Sequence, residues 1–209
     1  MSDNRPNQSY AESKPGFEER LRTAAADIAR GDHALALKKF IALIDDGCDQ
    51  ANGFVGALYE GSSEAKGVER DYEKARFYYE RAIETRGDVE SYLGLARIYY
   101  RGLGVRPDFS KAFQYCDLVA TEAEGSGTAY LMLGQMYQRG EGVKKDIEKA
   151  REYYDKAINE GYVMGYTYLG LLENEQGNFL KGWRLRFKAF LLFCKLVRKD
   201  RHHPLLRGS

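Results

Sequence analysis

Residues 133–154 read LGQMYQRGEGVKKDIEKAREYY, and this stretch decides the fold. Small and apolar residues lead to Tyr137, glycines at 140 and 142 break the pattern, and a second periodic run follows Asp146. That is the end of one helix, a tight loop and the start of another. Variants of the stretch occur twice upstream and once, shortened, downstream. Val68, Val105 and Val143 align, as do Asp71, Asp108 and Asp146, then Lys74-Ala75, Lys111-Ala112 and Lys149-Ala150, then Tyr78, Tyr115 and Tyr153, in steps of 37 and 38 residues. The first copy carries three extra loop residues within 62–66.

Each recurring residue type has a physical reason. Gly56, Ala96 and Gly134 are small, which lets the first helix of each copy (helix A) approach its neighbour. Tyr59, Tyr99 and Tyr137 offer a ring to the core and a hydroxyl to the loop. Gly102 and Gly140 stand where helix A ends, a place that favours the left-handed conformation. Asp71, Asp108 and Asp146 precede the second helix (helix B) at N-cap spacing, where an anion meets free N–H groups. The alanine after each lysine lets helix B nest on helix A. Gly87, Gly125 and Gly161 terminate helix B.

A fixed period of paired helices implies an array in which each unit buries its apolar face on the next. The pattern resembles the Sel1-like repeat, a relative of the tetratricopeptide repeat, roughly A-x3-L-G-x2-Y-x2-G-x-G-V-x2-D-x2-K-A-x2-W/Y-Y-x2-A-A-x2-G. Residues 129–161 match nearly every position, 91–125 most, and 51–87 with a stretched loop; the double alanine is half kept, as Ala82-Ile83 and Ala157-Ile158. The resemblance implies an all-α, right-handed α/α solenoid of about nine or ten helices. Residues 1–16 are expected to be a disordered lead-in, 17–180 the solenoid with a tetratricopeptide-like hairpin at 17–47, and 181–209 a basic, apolar capping helix and flexible tail. A fourth unit starts from 165, with its helix A over 166–175. There Glu173 replaces the tyrosine, the loop is reduced to GNFLKG, and helix B is WRLRFKAFLLFCKLVRKDR.

Hydrophobic residues at 44% and charged residues at 30% fit a soluble globular chain. Charge is uneven. From Lys181 onward nine Lys or Arg stand against one acid, Asp200, a net +8; with +1 for the whole chain, residues 1–180 carry −7. Cys48, Cys116 and Cys194 are odd in number and unpaired in spacing, which argues for a reducing compartment and buried thiols. The polar N-terminus lacks the apolar core of a secretion signal, and no run reaches membrane-spanning length. The expected location is the cytoplasm, extending to the inner face of the membrane.

Catalysis finds no support. His33, His202 and His203 belong to no nucleophile–base set or metal spacing, and the Gly-x-Gly-Val loops follow helices where a phosphate loop would follow a strand. No cofactor is expected. Projecting the tetratricopeptide pattern onto helices A places Glu60, then Arg97, Tyr100 and Arg101, then Gln135, Gln138 and Arg139, then Leu171 and Asn174 on a concave groove. Arginines beside a tyrosine suit an acidic or carboxylate-bearing peptide. The expected function is a non-enzymatic adaptor or scaffold holding a protein or peptide there, and the resemblance places such bacterial adaptors in envelope, polysaccharide or secretion systems. A second surface is the last helix, with Trp183, Phe187 and Phe190 among Arg184, Lys188, Lys195 and Arg198. Its alternative role is weak contact of a peripheral regulator with an anionic membrane. Nucleic acid is not an expected partner, for want of a recognition motif.

Overall fold

The computed structural model describes residues 16–61, 67–85, 88–122 and 126–199. Among them the chain forms ten α-helices and no strand: α1 (Phe17–Arg30), α2 (His33–Asp45), α3 (Ala51–Glu60), α4 (Tyr72–Thr85), α5 (Val89–Arg101), α6 (Phe109–Glu122), α7 (Gly127–Arg139), α8 (Ile147–Asn159), α9 (Val163–Glu175) and α10 (Phe179–Lys199). The expected lead-in except Gly16, the extra loop residues at 62–66, Gly87, Gly125 and the tail at 200–209 lie outside the described residues. The chain divides into two compact units at Ser91.

In the first unit α1 and α2 make a hairpin that rests on α3. Phe17, Leu21 and Ala24 of α1 meet Ala36, Phe40 and Leu43 of α2 and Ala51, Val55 and Leu58 of α3 in one core. The α1–α2 turn is set by Gly31, at φ +86°, whose N–H donates to the Ile28 carbonyl at 2.9 Å. An L side chain rarely adopts that conformation, so glycine fits the turn. Phe40 stacks on Phe54 with ring centroids 4.8 Å apart, which joins α2 to α3. Asp27 of α1 is fully buried, yet it receives Lys39 Nζ of α2 at 2.6 Å and also Arg30. The Lys39 hydrogen bond holds its carboxyl below the usual aspartate range against the opposing cost of burial.

In the second unit α5 to α10 form three hairpins, with α7 packed on both α8 and α9. Leu131, Tyr137, Ala150, Tyr154, Leu169 and Leu172 form the core of the last two. Two boundaries differ from the sequence expectation. Helix α9 starts at Val163, three residues before Tyr166. Gly161, at φ +81°, closes α8, and Tyr162 N–H donates to the Ala157 carbonyl at 2.9 Å, so the chain passes directly into α9. Helix α10 starts at Phe179, four residues before Trp183. Gly182 therefore lies inside a helix, where its N–H donates to the Asn178 carbonyl at 3.0 Å. It permits a close crossing: a Cβ there would stand 2.5 Å from the Gly170 carbonyl oxygen. The fourth loop is thus shorter than GNFLKG, because its last four residues are the first turn of α10.

Candidate interaction face

The residues that recur in all three copies are consumed by the repeat itself. The Asp71, Asp108 and Asp146 carboxylates accept from the N–H groups of Lys74, Lys111 and Lys149 at 2.9, 3.0 and 3.0 Å. Each is an N-cap meeting an unpaired donor in the first turn of helix B. The backbone N–H of each aspartate donates back to the carbonyl of Tyr59, Tyr99 or Tyr137 at 2.9–3.0 Å, so the loop closes onto helix A. The lysines lie over these same rings, Lys74 on Tyr59 at 5.2 Å, Lys111 on Tyr99 at 4.9 Å and Lys149 on Tyr137 at 5.1 Å. Behind each ring stacks a helix-B tyrosine, Tyr78, Tyr115 or Tyr153, at 5.5–6.0 Å between centroids. The repeat is therefore a lysine–tyrosine–tyrosine sandwich with a capped helix.

The contact between helices A and B is matched in volume, copy by copy. A Cβ on Gly56 would lie 2.6 Å from the Tyr79 ring, and one on Gly134 2.4 Å from the Tyr154 ring. In the middle copy the small position is Ala96, and Cys116 stands where the others have tyrosine, in one buried cluster with it. Alanine is accommodated only where helix B offers the smaller side chain.

The position after the helix-A tyrosine follows the same logic. Glu60 Oε2 accepts from Tyr79 OH at 2.6 Å, and Gln138 Oε1 accepts from Tyr154 OH at 2.6 Å. Burial raises the Tyr154 phenol well above the ordinary tyrosine range. The middle copy has Cys116 at that place, and its Tyr100 turns to the next repeat. Tyr100 OH donates to Glu141 Oε2 at 2.7 Å and accepts from Arg139 Nη1 at 2.9 Å. Burial and the Glu141 carboxylate push the Tyr100 phenol up to about 12. Gln138 continues the line, donating through Nε2 to Glu175 at 2.7 Å. In the second unit a polar row thus links three successive hairpins through their helices A.

The structure brings Tyr100, Gln138 and Arg139 together in this row. Arg139 is exposed, and its contact to Glu141 is loose at 3.9 Å. Arg97 and Gln135 are half-buried, and Arg101 and Leu171 are exposed. Asn174 turns to α10, with its Oδ1 standing where a Cβ on Gly182 would be. Glu60 belongs to the first unit and has its own partner in Tyr79. Sequence reasoning missed Glu141, which stands between Gly140 and Gly142 where the middle copy has Leu103, and Glu175, which carried no signal.

The last hairpin departs from the template. Glu173 is fully buried, and Arg151 of α8, Lys181 Nζ at 2.8 Å and Asn178 Nδ2 at 2.8 Å converge on it. Its substitution for tyrosine was visible in the sequence; its cationic partners were not. Helix α10 packs inward through Gly182 and Ala189, while Trp183, Phe187 and Phe190 are exposed. The cap and the aromatic surface are thus separate faces of one helix.

These hairpins define a class, a helical-hairpin repeat protein whose loop is built on Gly-x-Gly-Val and an aspartate cap. The family model described as Sel1 repeat matches residues 50–84, 89–120 and 127–162, and the chain belongs to the Sel1-repeat family. Its fold is similar to that of a protective antigen of uropathogenic Escherichia coli strains displaying an SLR fold, at TM-score 0.69 and 24% identity. That match covers 85% of this chain but 38% of the antigen, so this chain spans well under half of its length. A Sel1 repeat protein from Oxalobacter formigenes matches at TM-score 0.68 and 20% identity, over 83% of this chain and 68% of that one. MamA matches at TM-score 0.60 and 18% identity, over 84% and 96%. These likenesses establish an all-α solenoid of the Sel1 and tetratricopeptide kind. No curated protein matches the chain. No helix among the described residues is long and apolar enough to cross a membrane.

Proposed function

We propose that the chain is a non-enzymatic scaffold that binds an acidic segment of a partner protein along helices α5 and α7. The observation that carries this is the Arg139 guanidinium, exposed and oriented by the Tyr100 hydroxyl of the preceding repeat. A held guanidinium meets a carboxylate in a two-pronged geometry with less loss of freedom than a mobile one. The loose Glu141 contact leaves room for an incoming carboxylate to take its place. Arg97, Arg101 and Gln135 extend the same helices, and Leu171 adds an apolar contact. The family, whose members commonly serve as interaction scaffolds, supports the class of function. Bacterial envelope, polysaccharide or secretion machinery is the setting we propose, and the cytoplasm the location. The test is recovery of partners from the native host by affinity capture. Arg97→Glu with Arg139→Glu is expected to abolish capture at unchanged helicity; undiminished capture overturns the assignment.

A further inference from the structure

Helix α10 has one face too many for a cap. Its inner face, through Gly182, Leu185 and Ala189, meets α9 and the core around Tyr154. On a separate, outward side Phe179, Trp183, Phe187 and Phe190 recur at spacings of four and three, 69%, 61%, 46% and 58% exposed. Trp183 and Phe187 stack at 5.3 Å and 7°, and Phe190 follows at 6.5 Å, so the rings form a continuous ridge. Apolar side chains on soluble proteins are ordinarily scattered; a contiguous aromatic ridge marks a contact surface. Exposed Arg184, Lys188 and Lys195 run along one flank. No acidic residue occurs anywhere in 176–199. Of the cations, Lys181 is engaged by Glu173, and Lys188 Nζ lies over the Tyr166 ring at 4.5 Å, at the foot of that flank.

We infer that this ridge docks on the surface of an anionic lipid bilayer, with α10 lying in the interface plane. The charge settles the occupant. A symmetric dimer through this ridge would set two helices without acids side by side, and like charges across an interface are costly. A bilayer rich in anionic headgroups supplies the opposite charge along the whole flank. Apart from the Trp183 indole N–H, the rings of the ridge offer no hydrogen-bonding group, so it suits a non-directional apolar phase better than a protein groove read by hydrogen bonds. Tryptophan and phenylalanine on one face with Lys and Arg beside them is the pattern of a helix that lies at the headgroup boundary.

Trp183 is the only tryptophan of the chain, so its emission reports contact directly. The full chain is mixed with vesicles of phosphatidylglycerol in phosphatidylcholine, and with phosphatidylcholine alone, at low and high salt. The expected result is a blue shift on the anionic vesicles, at least ~10-fold tighter partitioning there than on neutral ones, and weakening by salt. Quenching by lipids brominated along the acyl chain is expected to accompany it. Phe187→Ser with Phe190→Ser should remove the shift, and Lys188→Glu with Lys195→Glu should remove the preference for anionic lipid, both at unchanged far-UV circular dichroism. An unshifted emission with anionic vesicles overturns the inference. So does sedimentation as a dimer that Phe187→Ser dissociates, or saturable binding of an acidic helical peptide that vesicles fail to displace.

Discussion

The three copies between residues 50 and 162 and the two hairpins that flank them in sequence solve the same packing problem with different chemistry. The internal copies place tyrosine at the helix A–B contact and cover it with a lysine. The flanking hairpins bury a carboxylate between two cations, Asp27 with Arg30 and Lys39, and Glu173 with Arg151 and Lys181. Rings lose little on leaving water and tolerate small shifts of geometry. A buried carboxylate is stable only while both cations stay in place, since an unmatched buried charge is expensive. The internal units are therefore expected to be robust and the flanking hairpins conditional.

Three experiments press on that difference, in order of effect. Arg151→Met with Lys181→Met leaves Glu173 buried without a cation, and by the cost of breaking a buried ion pair it should lower stability by about 3–5 kcal/mol. Urea unfolding followed by circular dichroism measures it, and a loss under ~1 kcal/mol would remove the contrast between the two kinds of hairpin. Gly134→Ala drives a methyl into the Tyr154 ring and should cost about 1–3 kcal/mol. Adding Tyr154→Cys recreates the Ala96–Cys116 pair of the middle copy, and the double mutant should be more stable than additivity allows by about 0.5–3 kcal/mol. The smallest effect is confined to acid. Because the folded state depresses the Asp27 pKa, its contribution is fully present above the unfolded value of 3.8 and disappears as pH falls below it. Wild type should lose stability through that range and Asp27→Asn should lose less, read as the change in urea midpoint between pH 6 and pH 3.

The repeat was legible in the sequence because its residues act locally. Asp146 caps the helix that begins next to it, and Lys149 reaches a tyrosine in its own copy, so spacing alone exposes both. The small positions Gly56, Ala96 and Gly134 were legible as close approaches; that Cys116 answers Ala96 required both helices in register. The candidate face was less visible. Glu60 and Gln138 point along a helix as a ligand-binding residue would, yet each accepts a tyrosine hydroxyl from its own hairpin. The start of α10 was misplaced because Gly177 and Gly182 both read as loop residues. Gly182 serves a helix crossing, for which sequence carries no separate sign.

The volume matching at the helix A–B contact also bears on how the chain avoids folding incorrectly. Copies this alike invite a helix A to pair with the helix B of another copy, a familiar failure of repeat arrays. Ala96 set against Tyr79 or Tyr154 would collide, and Gly56 or Gly134 set against Cys116 would leave a hole. The middle copy thus rejects the helices of both neighbours, and neighbouring copies cannot exchange partners without loss. Three side-chain pairs that look like minor variation in a repeat therefore penalise the mispairing of adjacent copies.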